Sequence, residues 1–471
     1  MAGSPARMHL NPQKHSRRVN DSIEECPERS REAAVVFLDV AHRRTFRSSW
    51  FRLAAWSLFW LVTVAGTGRG LVSIIEATPA MMHDFAAPYS GSKCLLLGCD
   101  PYDPVQVRQT FAAAGGRGND TAEKWNYTPP VYPPSTLIEL LPLALLNYHA
   151  ARIVWFLLST AVFIVSFLLW AALIMPAYRP WMALLGALLR ASYAAAFAAE
   201  AGQTSFIAVG LAVIALWCFI RGRFTFVGSI CLALGMGLKP QLAGIVFLYL
   251  ILRPAFRWPA VRAAIVAAAL VVAGGAWLSV SAPSKHWRAE LTEQIKTSQQ
   301  PGAINDPSKA NPFSPDIVNA QAGWVLITTD PFAYNLLSYV LFGALLIPFV
   351  IRTWRGAGTN TNLFAALGAI ACIGMLPVYH RVYDLLILLL AFPSLICFFV
   401  QRRKIRWIAA GATLVALIPA SLIARIALFR TLNVVWHLES LAVILLAFTY
   451  FVGMNVCDGA CEALYEPGIP A

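Results

Sequence analysis

Residues 202–253 read GQTSFIAVGLAVIALWCFIRGRFTFVGSICLALGMGLKPQLAGIVFLYLILR, and this stretch decides the fold. Three apolar runs, 204–220, 224–238 and 241–253, follow one another, with charge confined to their boundaries at Arg221, Arg223, Lys239 and Arg253. A backbone surrounded by hydrocarbon has no water to bond, so such runs fold as helices. The second and third are interrupted only by Lys239-Pro240, which reads as a turn at the membrane edge. The same pattern continues in both directions, with further apolar runs at about 53–75, 150–175, 181–199, 263–281, 331–351, 361–377, 383–400, 407–425 and 434–454. At about 20 apolar residues per span, the expectation is an all-α polytopic membrane protein of about 12 transmembrane helices. The stretch Leu137–Leu146 is too short to cross and reads as an interfacial or re-entrant helix.

Composition agrees. The 471 residues are 58% hydrophobic and only 13% charged, with a mean hydropathy of +0.61; a soluble domain carries about 25% charged residues. The net charge of +13 does not point to nucleic acid, because most basic residues sit at the ends of apolar runs, where they orient spans. Residues 1–50 are polar and basic, without an apolar run of signal-peptide length. They are expected to form a disordered cytoplasmic tail, with a surface helix possible at Ala33–Val40. Residues 51–455 would be the membrane domain, and 456–471 a cytoplasmic C-terminal tail.

Lys and Arg placement sets the expected orientation. Arg179, Arg221, Arg223, Arg253, Arg257, Arg262, Arg352, Arg355, Arg402, Arg403, Lys404 and Arg406 fall in alternate turns that contain no acid. Those turns are assigned to the inside, against the mild dissent of Arg425 and Arg430. Two long polar segments, about 77–134 and 282–330, then lie outside, and in them acids outnumber bases. Cys94 and Cys99 share the first. Two readings stand for them: a disulfide if the loop faces an oxidising compartment, or two free thiols.

With this topology, four separate segments bring chemistry to the outer face. Asp84 follows the first span, Gln203 stands in a short turn after Glu200, Lys239 ends a helix, and His380, Arg381 and Asp384 share another turn. Individually each has an ordinary explanation: a solvated loop acid, a turn amide, a snorkelling lysine, a backbone-satisfied histidine. Together they suit an enzyme at the outer membrane surface better than a scaffold. Asp100 and Asp103 occur in a Pro-rich turn, where aspartate is common. No zinc, P-loop or dinucleotide motif is present, so no metal or cofactor is expected. Outside a cytoplasmic membrane a group-transfer enzyme needs a lipid-linked donor. Its site needs a cation for the departing phosphate and a carboxylate to deprotonate the acceptor hydroxyl.

Ordered motifs carry a family resemblance. They are Asp84-Phe85-Ala86-Ala87-Pro88-Tyr89, Gly98-Cys99-Asp100-Pro101-Tyr102-Asp103, Tyr127-Thr128-Pro129-Pro130-Val131-Tyr132-Pro133-Pro134, Gly202-Gln203-Thr204, Gly237-Leu238-Lys239-Pro240 and Tyr379-His380-Arg381-Val382-Tyr383-Asp384. In this order, along about 55–400, the chain resembles glycosyltransferase family 87, membrane mannosyltransferase-like proteins of the GT-C class. The resemblance implies a GT-C-like bundle and a polyprenyl-phosphate sugar donor, typically mannose. It also implies a glycolipid or glycan acceptor, and inverting transfer at the outer face of the inner (plasma) membrane. It maps the general base to Asp84 and donor-phosphate binding to Lys239 and His380. Substrate binding maps to Tyr89, Tyr102, Asp103, Gln203 and Arg381. The rival reading is a transporter or flippase of lipid-linked glycans. Transporters place ionisable groups near the bilayer midplane, often in repeated halves; Arg69, Arg152 and Arg190 keep that reading open, and no internal repeat supports it.

Overall fold

The computed structural model describes residues 49–76, 82–116, 131–281, 284–355, 363–400, 404–418 and 437–456. The N-terminal tail, the tip at 117–130 and the C-terminal tail from 457 lie outside these residues. The chain divides into two units, Met1–Ala54 and Ala55–Ala471; of the first, only the opening turn of a helix is described.

All regular structure among the described residues is helical. The order is α1 Ser49–Ile75, α2 His83–Leu97, α3 Pro104–Ala113, α4 Pro134–Glu139, α5 Leu141–Ala144, α6 Tyr148–Ala172, α7 Arg179–Ala191, α8 Tyr193–Ala201, α9 Ser205–Ile220 and α10 Thr225–Leu238. There follow α11 Pro240–Leu252, α12 Pro254–Val280, α13 Trp287–Ser298, α14 Ala320–Trp324, α15 Pro331–Arg355, α16 Leu363–Gly374, a 3-10 helix Val382–Ala391, α17 Phe392–Val400, α18 Ile405–Leu417 and α19 Leu438–Val456.

Five segments are long and apolar enough to cross a membrane: α1, α6, α12, α15 and Val382–Val400. A sixth arises if α7 and α8, bent by 53°, count as one span. The described residues therefore give five or six full-length spans, not about twelve. The other expected spans are helical but short. A helix of 13 residues such as α11 is only about 20 Å long at 1.5 Å per residue, against a hydrocarbon core of about 30 Å. The shortening has local causes. Pro240 and Pro254 start α11 and α12, each pushing the preceding residue out of the helical region. Gly202, at φ 71°, ends α8 in a left-handed cap that glycine adopts without a Cβ penalty.

The long spans differ in place. The apolar windows of α1 and α12 are 17% buried, whereas that of Val382–Val400 is 94% buried. The former turn large apolar side chains such as Leu61, Val64 and Val272 outward, which lipid accommodates and water does not. The latter runs through the centre, carrying ten residues of 3-10 helix, an unusually long run of that tighter winding.

Arg152 and Arg190 are part of the packing. Arg152 donates to the Ile74 carbonyl at 2.9 Å and contacts His149 Nδ1 at 3.0 Å. Arg190 lies so close to Gly66 that a Cβ there would stand 2.7 Å from its guanidinium.

The two long polar segments are folded rather than open loops. The first contains α2 and α3, and a Cys94–Cys99 disulfide closes the end of α2. Asp103 caps α3, accepting from Val105 N at 2.8 Å. The second contains α13 and α14 and docks onto the turn before the 3-10 helix. Val318 N donates to His380 O at 2.8 Å, and an isolated antiparallel bridge pairs Ile317 with Arg381. The apolar stretch 137–146 forms the end of α4 and the short α5, too brief to span.

Candidate active site

Proline places the lysine. Pro240 takes Lys239 out of helical geometry to φ −152°, ψ 82°, and its side chain runs inward, leaving the residue 6% exposed. It does not snorkel. Its Nζ lies 2.5 Å from Asp384 Oδ1, donates to Ser205 Oγ at 2.8 Å and to Gln203 Oε1 at 3.5 Å, and sits 4.5 Å from the centre of the Tyr383 ring.

Asp384 is the acceptor around which this cluster closes. Ser205 Oγ donates to its Oδ1 at 2.7 Å, His380 Nδ1 lies 3.1 Å from its Oδ2, and Arg381 N donates to Oδ2 at 3.4 Å. The other His380 nitrogen is 3.2 Å from the Gly374 carbonyl. Both ring nitrogens are therefore engaged, and His380 is fully buried.

Gln203 links this buried charge pair to the outside. Gly202 turns the chain at the end of α8, and Gln203 Nε2 then donates to Asp84 Oδ2 while Oε1 faces Lys239. Asp84 occupies the first turn of α2, where a carboxylate is favoured by the helix dipole. Its side chain is 28% exposed, with His83 Nε2 at 3.6 Å from Oδ1. Asp84, Gln203, Lys239, Asp384 and His380 thus form one continuous polar chain. Asp84 is its accessible end.

Arg381 stands beside the chain. Its Nε donates to the Tyr379 hydroxyl and its Nη2 to Ile304 O at 2.9 Å, both neutral acceptors.

The family model described as Glycosyltransferase family 87 matches residues 131–379, more than half of the chain. The chain belongs to glycosyltransferase family 87. It is a membrane glycosyltransferase, acting on a sugar donor and an acceptor in a membrane setting. Comparison with curated proteins and with solved structures returned no match. The family 87 match contains Gln203, Ser205 and Lys239; Asp84, His380 and Asp384 flank it in sequence.

Other residues singled out from the family 87 motifs lie elsewhere. Tyr89 is completely buried, its hydroxyl donating to Leu146 O at 2.8 Å and its ring packed on Phe85 and Tyr148. Tyr102 donates to Tyr132 O at 2.9 Å. Asp103 serves the α3 cap and accepts from Gln106 Nε2 at 2.6 Å. Tyr102 and Asp103 border a groove of about 1080 Å³ between the two long polar segments. Asp100, buried against the Tyr102 amide at 2.9 Å, and Asp103 stand near Glu290 of α13. Burial and these two carboxylates push Glu290 up to about 7.

Asp384 was named in the sequence only as a neighbour of His380 and Arg381, without a role of its own, and Ser205 was not singled out. Asp384 had a signal: an acid four residues after His380, at the head of an apolar run. Ser205 had little, being a small hydroxyl in a helix start. Glu139 is a further case. Its carboxylate packs on Gly237, where a Cβ would meet Oε1 at 1.7 Å, and both its oxygens are enclosed without a hydrogen-bond partner.

Proposed function

We propose that this family 87 enzyme transfers a hexose, with mannose as the first candidate, from a polyprenyl-phosphate donor to a glycan or glycolipid acceptor. The reaction is placed at the outer face of the cytoplasmic membrane, with the basic turns inside. The observation that carries the reading is the connection of a reachable carboxylate, Asp84, through Gln203 to a buried Lys239–Asp384 pair.

Asp84 accepts the proton of the acceptor hydroxyl as that oxygen bonds to the anomeric carbon. The bond from that carbon to the phosphate oxygen breaks, and the electron pair leaves with the polyprenyl phosphate. Attack opposite the leaving group inverts the anomeric configuration. Lys239 and Arg381 supply positive charge for the phosphate. Lys239 is matched at contact by Asp384 at 2.5 Å, whereas Arg381 feels the Asp84 and Asp316 carboxylates without an ion pair to either among the described residues. His380 acts through Asp384, fixing the carboxylate that holds Lys239. Gln203 orients Asp84.

The test is transfer from polyprenyl-phosphate mannose to candidate acceptor glycolipids by the purified protein, read by mass analysis. A positioned base contributes about 10²–10⁴-fold, so Asp84→Asn should lower transfer by that factor while leaving folding intact. Near-normal transfer by Asp84→Asn would remove Asp84 as the base.

A further inference from the structure

The groove between the two long polar segments is distinct in character from the polar chain at Asp84. Its volume of about 1080 Å³ sits at the top of the roughly 300–1,000 Å³ range of small-molecule sites, room for more than one sugar ring. Its charged lining residues are all acidic: Asp100, Asp103, Glu290 and Glu293. The rest of the polar lining is amide and hydroxyl, from Gln106, Gln294, Thr297, Ser298 and Asn311. Among the described residues that line it, none is cationic.

Among the described residues one lining atom, Gln294 Oε1, is enclosed and lacks a hydrogen-bond partner, its amide nitrogen being engaged with Tyr102 O. An enclosed acceptor without a donor costs free energy and suits a ligand that brings hydroxyl donors. Carboxylates and amide oxygens accept such bonds. Phe313 lines the same wall and is 37% exposed. The groove also touches the candidate active site directly. Ile304 lines it, and the Ile304 carbonyl accepts from Arg381 at 2.9 Å.

We infer that this groove binds the acceptor as an uncharged oligosaccharide, and that its carboxylates exclude anionic glycans and phosphorylated headgroups. This inference rests on the transferase reading for the word acceptor; the groove's preference for a neutral glycan is measurable without transfer. The geometry places several sugar units along α13, with the reacting end toward Arg381 and Asp84.

The experiment uses the full-length protein in nanodiscs and titrates a neutral manno-oligosaccharide and the same glycan carrying a phosphate, by calorimetry at low salt. The neutral glycan should bind at least tenfold more tightly. Thr297→Trp, which fills the groove from the exposed face of α13, should weaken it at least tenfold. Glu293→Lys should narrow the preference for the neutral form. Equal affinity for the phosphorylated glycan, or a Thr297→Trp affinity within twofold of wild type, would overturn the inference. Asp84→Asn should keep oligosaccharide affinity while losing transfer. Binding without transfer from any polyprenyl-phosphate donor sinks the transferase reading alone. Transfer with an acceptor KM unchanged in both groove variants sinks the groove assignment alone.

Discussion

Replacing Lys239 by methionine removes a cation from a place where its counter-charge cannot leave. The two side chains are 8% and 1% exposed, and their charged atoms are 2.5 Å apart. At an effective dielectric constant of about 20, the gross attraction is roughly 6–7 kcal/mol. Desolvating the two ions costs several kcal/mol each, so the intact pair is close to neutral against an apolar one. The single variants are a different matter. Lys239→Met leaves Asp384 with donors from Ser205, His380 and the Arg381 amide but no matching charge, and Asp384→Asn strands the ammonium. Each should lose about 3–5 kcal/mol. Lys239→Met/Asp384→Asn removes both charges and should lie within about 1 kcal/mol of the wild type, a coupling of about 5 kcal/mol or more. Unfolding of the purified protein in mixed micelles, titrated with denaturing detergent, measures all four corners of the cycle. Transfer should stay reduced in the double variant, since one of the two cations proposed to meet the phosphate is gone while Arg381 remains. A double variant that loses the sum of the two single losses would refute the reasoning, because the groups would then act independently.

Gly202→Ala should cost upward of roughly 1–2 kcal/mol from the left-handed backbone alone. Its Cβ would also stand 2.4 Å from Met82 Sδ and 2.8 Å from Phe85 Cβ; unfolding titration and transfer should both report the loss, and a neutral result would show that this turn is not fixed. Arg381→Lys cannot keep both the Tyr379 and Ile304 contacts, which need the planar fork. It should raise the donor KM at least tenfold with a smaller change in kcat, read from initial rates against donor concentration. Glu290 is raised in the folded protein from 4.5 to about 7, by burial first and then by Asp100 and Asp103. The native state therefore keeps a proton that the unfolded chain has released between those values. Packing of α13 should be tightest below about pH 4.5 and loosen as pH rises through 7; hydrogen exchange over 287–298, corrected for intrinsic rates, should show that trend in the wild type and not in Glu290→Gln.

The helical class and the membrane setting were legible because apolar runs with charge at their ends have few other solutions. The number of full spans was not. The break at Lys239-Pro240 in the run 224–253 was legible, but not that each half is too short to span and that the lysine between them turns inward. Asp84, Gln203, Lys239 and His380 were each visible as polar residues at helix ends. Their convergence was a guess about topology, because residues 84 and 384 meet only through long-range packing. His380 was visible for its chemistry, while the engagement of both its ring nitrogens was not, since that depends on Gly374 and Asp384 closing around it. Tyr89 shows the opposite limit. An aromatic beside a motif acid reads the same whether it faces a substrate or, as here, fills the core between Phe85 and Tyr148.

The Lys239–Asp384 pair joins residues 145 positions apart, and this bears on how the chain is made. Spans enter the bilayer in order during synthesis, so α10 and α11 are delivered with their lysine long before the aspartate exists. A lone lysine at a helix centre costs about 2.5–3.5 kcal/mol on insertion scales, an upper bound for Lys239, which stands at the break between α10 and α11. The growing chain must therefore hold this hairpin at the interface, or beside the insertion machinery, until the central 3-10 segment arrives. The arrival of Asp384 is the step that lets the hairpin settle. Chains truncated before residue 384 should accumulate with Lys239 still open to water-soluble amine reagents, and chains extended past it should not.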